Sequence, residues 1–131
     1  MIVVDASALI AILDNEKDAA RYAEAIAEAD SPLISAATLL ETSIVMFNRH
    51  GASGARKVAA LLEECGCQVE SVTAHHAQLA LEAYIAYGKG QKSAAGLNYG
   101  DCLSYPLAKA TGLPLLFKGR DFMRTDLQPA L

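Results

Sequence analysis

Apolar positions along this chain fall into two kinds of run, short β-branched blocks and longer stretches at helical spacing. Ile2-Val3-Val4 is an apolar block closed at once by Asp5, the pattern of a strand buried on both faces. Residues 7–13 then read as a buried helix, and Asp14-Asn15-Glu16-Lys17 interrupts the apolar run. Residues 18–29 place Tyr22, Ala25, Ile26 and Ala29 at helical intervals, which predicts an amphipathic helix. Asp30-Ser31-Pro32 is a turn signal, and Leu33-Ile34-Ser35 a second short strand. Residues 36–49 and 53–64 predict two more helices, stopped near Gly51 and Gly66. Residues 68–72 alternate and suggest a third strand. Thr73 is a good N-cap for a long helix over 74–87. A polar loop over 88–93 follows. Asn98-Tyr99-Gly100-Asp101 opens another helix, which ends at Gly112, and residues 114–117 form a fourth strand. Lys118-Gly119-Arg120-Asp121 is a turn, leaving a short helical turn and an edge strand at the end.

The order β-α-α-β-α-α-β-α-α-β with short connections predicts one α/β domain over residues 1–131. Its architecture is three-layer, α/β/α, around a mainly parallel sheet. Right-handed crossovers bring the carboxyl ends of all strands to one rim, where open parallel sheets bind ligands.

Composition narrows the class. At 131 residues and 53% hydrophobic content the chain can bury a core without disulfides or a structural metal. No run of ~20 apolar residues is present to span a membrane. The start, Met1-Ile2-Val3-Val4-Asp5, lacks a basic leader, so a cytoplasmic protein is expected. Cys65, Cys67 and Cys102 have neither a disulfide framework nor zinc spacing, and are read as reduced thiols. The net charge of −4 is unevenly spread: residues 1–84 carry −7 and residues 85–131 carry +3. The basic third could track phosphates, or be an ordinary solvated surface.

The carboxylates change the picture. Asp5 ends an apolar strand, at the rim where sites form, although Asp is also a favoured helix cap. Glu41 lies within Leu39-Leu40-Glu41-Thr42-Ser43-Ile44-Val45, and no Lys or Arg occurs between Pro32 and Asn48. A local salt bridge is excluded, and a buried unpaired charge costs several kcal/mol. Asp101 opens a helix, where the macrodipole favours an acid. Asp121 lies in the turn after the last strand. Each has an ordinary structural explanation singly. Together, Asp5, Glu41, Asp101 and Asp121 can face one rim, and carboxylates that converge are stable only around a cation. All-oxygen ligation selects Mg²⁺ or Mn²⁺, and a carboxylate-held Mg²⁺ is suited to phosphodiester hydrolysis.

With these residues in view, the chain resembles the PIN-domain ribonucleases, and among them the VapC-type toxins of bacterial toxin–antitoxin pairs. Four pieces carry the resemblance over essentially the whole chain: Ile2-Val3-Val4-Asp5-Ala6-Ser7-Ala8-Leu9; Glu41 within Thr38-Leu39-Leu40-Glu41-Thr42; Gly96-Leu97-Asn98-Tyr99-Gly100-Asp101-Cys102; and Leu115-Leu116-Phe117-Lys118-Gly119-Arg120-Asp121-Phe122 with Thr125-Asp126. The resemblance implies an acidic core of Asp5, Glu41 and Asp101 with Asp121 as a fourth carboxylate. Ser7 would support the first aspartate, and Asn98 would stand beside the third. It further implies Mg²⁺ or Mn²⁺ as cofactor, an RNA substrate such as a tRNA cut in a single-stranded loop, a VapB-type antitoxin as partner, and a homodimer. Three positions depart from the family pattern. Ala6 stands where Thr is frequent, Arg120 where Asp or Asn is common, and Pro106 inside the helix of Asp101, which it should kink.

On this reading Asp5, Asp101 and Asp121 hold the metal, and Glu41 binds or orients a water that attacks the phosphorus in line and expels the 3′-oxygen. Lys89, Lys92, Lys118, Arg120 and Arg124 are candidates for RNA backbone contacts, Lys118 and Arg120 first. His75 and His76 are expected at the surface or its boundary. Val45, Met46, Leu61 and Leu62 are plausible interface residues that core packing would explain equally well. Two rivals remain at this level. A phospho-acceptor receiver-like domain would need an acidic pair after the first strand, where this chain has Asp5 alone. A PIN-like binding module without catalysis would be expected to lose the acidic positions.

Overall fold

The computed structural model describes residues 1–91 and 93–131. Lys92, one of the candidate RNA contacts, lies outside the described residues, as does its part of the loop predicted over 88–93. The elements run β1 (Ile2–Val4), α1 (Ala6–Leu13), α2 (Ala19–Glu28), β2 (Pro32–Ser35), α3 (Ala36–His50), α4 (Ala52–Glu64), β3 (Gln68–Glu70), α5 (Ala74–Tyr87), α6 (Asp101–Thr111) and β4 (Leu115–Leu116).

The four strands form one sheet in the order β3-β2-β1-β4, and every pairing is parallel, where a mainly parallel sheet was expected. Val3 lies opposite both Leu33 and Leu115, so β2, β1 and β4 share one register. Successive side chains on a strand point to opposite faces, and three adjacent pairs divide the core accordingly. Val4, Ile34 and Leu116 pack under α1 to α4 with Leu9, Ile26, Met46 and Leu62. Val3, Leu33 and Leu115 pack against α5 and α6 with Ala83, Tyr105 and Leu107. These are the two interfaces of a three-layer α/β/α fold.

The chain builds outward from β1 to β2 to β3, then returns across the sheet so that β4 flanks β1 on its other side. The carboxyl ends of β1 and β4 therefore border a crevice where the direction of strand order reverses, the expected ligand position in such sheets. β1 and β2 pass into helices without a loop. Asp5 caps α1, accepting from the Ser7 amide at 3.0 Å, and Ser35 caps α3, accepting from the Ala37 amide at 3.2 Å. These caps satisfy otherwise orphaned helix amides.

Several boundaries differ from the sequence expectation. β3 stops at Glu70 rather than 72, because it is a largely exposed edge with only β2 beside it. β4 contracts to Leu115–Leu116. The edge strand expected at the end is a single bridge between Leu115 and Pro129, following an irregular turn. α6 runs from Asp101 to Thr111 with Pro106 inside it. Met46 and Leu62 are core residues, while Val45 and Leu61 are half-buried. The exposed apolar side chains of α3 are instead Leu40, Ile44 and Phe47, a stripe on its other face. Cys65, Cys67 and Cys102 are free thiols. Among the described residues no helix is long and apolar enough to cross a membrane.

Candidate active site

The crevice between the ends of β1 and β4 opens into a cavity of about 240 Å³. Asp5, Glu41, Asp101 and Asp121 all line it, with Ser7, Asn98, Gly100 and Lys118. Residues separated by up to 116 positions in the chain thus meet in one place, and each arrives by a different local device.

Asp5 is the most deeply set, at 5% exposure. Its Oδ2 accepts from the Ser7 amide and from Ser7 Oγ at 2.6 Å, and its Oδ1 accepts from Ser104 Oγ at 2.5 Å. Ser7 Oγ in turn accepts from the backbone amide of Lys118 at 2.9 Å. A relay from the β4 turn through Ser7 to Asp5 therefore fixes the carboxylate, and Ser104 ties it to α6 on the opposite face of the sheet. Oδ2 thus accepts two hydrogen bonds and Oδ1 one, so Oδ1 retains a lone-pair direction for a further ligand.

Asp101 is set by a capping box. Its amide donates to Asn98 Oδ1 at 2.9 Å, and its Oδ2 accepts from the Asn98 amide at 3.0 Å. Asn98 is thus the working cap of the turn that leads into α6. Burial pushes the Asp101 carboxyl up to about 7, and the facing carboxylates of Asp121 and Asp5 push in the same direction, against the opposing bond from Asn98. Asp121 itself is exposed. Glu41, half-buried on α3, is raised by burial first and by the charge of Asp5 second. Its carboxylate rests against Gly100, whose missing side chain leaves the room.

Among the described residues, neither Glu41, Asp101, Asp5 nor Asp121 has a Lys, Arg or His partner within ion-pair distance. The donor set is all oxygen, anionic and partly desolvated, which fits a hard divalent cation. No group of three or more His, Cys, Asp or Glu side chains among the described residues is close enough to hold an ion between them. The arrangement therefore suits an ion that keeps part of its water shell, the ordinary habit of Mg²⁺.

The basic residues divide. Lys118 lines the cavity, yet its Nζ is already bridged to Glu16 at 2.5 Å and to Asp18 at 2.9 Å, and these bonds raise its pKa. Its observed work is to fasten the β4 turn to the α1–α2 connection. Arg120 is exposed and forms no ion pair with Asp121 among the described residues. It lies beside Asp121 and Arg124 on a separate, open depression. Lys89 is exposed at the far side of Asn98. His75 is exposed and His76 half-buried on α5, away from the carboxylates.

Two contributors escaped the sequence reading, Ser104 and Gly100. Ser104 follows Asp101 by three residues and so shares its helix face. That spacing is the one signal a sequence offers for it.

A family model of the PIN domain matches residues 2–127. Ribonuclease VapC28 of Mycobacterium tuberculosis is 49% identical over 129 residues, covering 98% of this chain and 97% of that protein. The chain belongs to the PIN domain family, among its VapC ribonucleases. Ribonuclease VapC30 of M. tuberculosis is likewise 49% identical, over 95% of each chain. A more distant VapC of M. tuberculosis, the sarcin–ricin-loop-cleaving toxin VapC20, shares the fold: its crystal structure superposes with a TM-score of 0.77 at 21% identity, covering 98% of this chain and all of that one. The PIN match spans all four carboxylates of the cavity.

Proposed function

We propose that this PIN domain is a Mg²⁺- or Mn²⁺-dependent endoribonuclease, the toxin of a type II toxin–antitoxin pair, with Asp5, Glu41, Asp101 and Asp121 as its acidic site. One observation carries the reading: four carboxylates from four separate segments line a single cavity at the switch point of the sheet, and among the described residues none of them is ion-paired. Repulsion among them is useful only if a divalent ion enters.

Asp5, Asp101 and Asp121 are the residues that would hold the ion, with Ser7 and Ser104 keeping Asp5 in one orientation. When bound, it would supply a nucleophilic water at neutral pH and polarise the phosphoryl oxygen. Glu41, fixed against Gly100, is placed to accept a proton from that water. Asn98 holds Asp101 by the capping box, which fixes one oxygen of its carboxylate on the Asn98 amide. No histidine is needed as base. The products would be 5′-phosphate and 3′-hydroxyl ends.

The substrate is RNA, with a structured RNA such as a tRNA, cut in an exposed loop, as the expected class. The partner is a VapB-type antitoxin, the expected assembly is a homodimer, and the setting is the cytoplasm. The exposed stripe Leu40, Ile44 and Phe47 on α3 supports an interface of this kind. Lys118 enters as a fastener of the site, and Arg120 as a backbone contact at its margin.

The test is cleavage of tRNA and of a single-stranded RNA with Mg²⁺, with Mn²⁺ and with chelator, by the wild type, Asp5→Asn and Asp101→Asn. Activity that depends on the metal and is lost by both variants is expected. Full activity in either variant would refute the site.

A further inference from the structure

We propose that the ring of Tyr99 is a stacking platform for an unpaired nucleobase of the RNA, immediately beside the carboxylate cavity. The proposal rests on the ribonuclease reading above and adds a specific subsite to it.

Tyr99 is the most exposed large apolar side chain among the described residues, at 72%. Its backbone is nonetheless held between the two partners of the capping box, Asn98 and Asp101. A bare aromatic ring on a fixed backbone binds with little loss of conformational freedom, because a Tyr side chain has two rotatable angles. Two cavities meet at this ring, one of about 500 Å³ and one of about 230 Å³, and Ala80 and Cys102 line both. The larger adds Tyr84 and Lys89 and shares Asn98 with the carboxylate cavity. The smaller adds Val72, His76 and Pro106.

Charge favours RNA as the occupant. Among the described residues no Asp or Glu lines either cavity, in a protein with fifteen of them and a net charge of −4. The ionisable side chains with a cationic form there are Lys89 and His76. An apolar floor with a basic margin accepts a base by its face and the adjoining phosphate by its charge. Tyr84 Oη donates to the carbonyl of Lys89 at 3.4 Å, which holds the basic side of the groove against α5. Since Tyr99 precedes Asp101 by two residues, a nucleotide stacked on it leaves a neighbouring phosphodiester at the acidic site. A base engaged in a duplex presents no free face, so this subsite selects an unpaired nucleotide next to the cut.

The experiment uses the full chain and two probes, a fluorescein-labelled single-stranded 12-nucleotide RNA of mixed sequence and the same length of abasic ribose-phosphate. Binding is read by anisotropy in chelator, so no metal is required, and cleavage of the first probe is read separately with Mg²⁺. Tyr99→Ala is expected to weaken binding of the base-bearing RNA roughly 5- to 100-fold, the range for loss of one base–aromatic stack. Tyr99→Phe, which keeps the ring, should retain most of the affinity. On the abasic probe, wild type and Tyr99→Ala should bind alike. The proposal is overturned if Tyr99→Ala binds the base-bearing RNA as tightly as wild type, or if its deficit persists on the abasic probe. It is also overturned if light scattering shows that Tyr99→Ala changes the oligomeric state while RNA affinity is intact, which would assign the ring to an interface between copies. If the wild type neither binds nor cleaves RNA, the ribonuclease reading falls. If it does both and only the Tyr99 substitutions are silent, the platform alone falls.

Discussion

The Glu41 carboxylate occupies the space that a side chain on Gly100 would need. A Cβ built on Gly100 would lie 2.1 Å from Glu41 Oε2. Gly100 has φ −60° and ψ −40°, ordinary right-handed helical values that any residue adopts. Backbone freedom therefore does not explain this glycine, and the seat of the Glu41 carboxylate does.

Gly100→Ala should accordingly separate folding from function. Alanine is the better helix former by about 1 kcal/mol, and the atom it displaces is the free end of a flexible side chain. Stability measured by urea unfolding should hold or rise slightly. Cleavage should fall roughly 10- to 100-fold, the scale expected for an ångström-sized displacement of a reacting group. A variant with full activity would show that Glu41 does not work from this seat.

Ser104→Ala removes the hydroxyl that reaches Asp5 across the sheet. Hydrogen bonds to charged groups are worth about 1.5–3 kcal/mol, and the site is fully buried. The melting temperature should drop by several degrees and RNA cleavage should weaken. Mn²⁺ affinity by calorimetry should weaken with it, because Ser7 alone would then orient Asp5. Unaltered Mn²⁺ binding would confine Ser104 to a packing role.

Asp101 makes the metal-free protein sensitive to pH. Its carboxyl titrates near 7 when folded, against 3.8 for the ordinary group, through burial and the facing carboxylates. Between these values the folded state binds more protons than the unfolded state, so this group's contribution to stability falls as pH rises from about 4 to about 7. In chelator, Asp101→Asn should lose that slope and gain about 1 kcal/mol over wild type at pH 8, with little gain at pH 4. Urea titrations at the two pH values measure the difference. Added Mn²⁺ should raise the stability of the wild type more than that of the variant.

Asp126 anchors the segment that carries Asp121. It accepts from Tyr105 Oη at 2.6 Å and from Lys109 Nζ, both on α6. Tyr105→Phe should cost about 1–2 kcal/mol. It should also speed amide exchange over residues 120–128 more than in β1 or α1. Uniform exchange across the chain would argue against a local anchor.

The sequence conveyed what periodicity and composition can carry. The strand blocks Ile2–Val4 and Leu33-Ile34-Ser35 were legible because a doubly buried parallel strand has no polar face, and α5 was found end to end because Thr73 caps it. Asp5 and Glu41 stood out because the first terminates and the second interrupts an apolar run, and Asp101 and Asp121 because one opens a helix and the other follows the last strand. What stayed hidden depends on contacts between distant positions. Ser104 lies 99 residues from Asp5, and Lys118 lies 100 or more from the two carboxylates that engage it. A serine inside a helix and a lysine after a strand carry no mark of such partners. Gly100 was passed over because a glycine beside a helix start suggests a turn, and its real constraint comes from a side chain 59 positions earlier. On α3, Val45 and Met46 could be read as interface or as core, and Leu40, Ile44 and Phe47 prove to be the exposed apolar stripe, because one helix carries two apolar faces that spacing alone cannot rank.

The placement of β4 beside β1 has a consequence for how this protein comes into being. A ribosome makes β1 and Asp5 first and reaches Leu115 and Asp121 more than a hundred residues later. Until then β1 lacks one neighbour, Ser7 lacks the Lys118 amide, and the acidic rim has no far wall. The carboxylate crevice is thus the last part of the fold to be assembled, complete only when β4 pairs with β1.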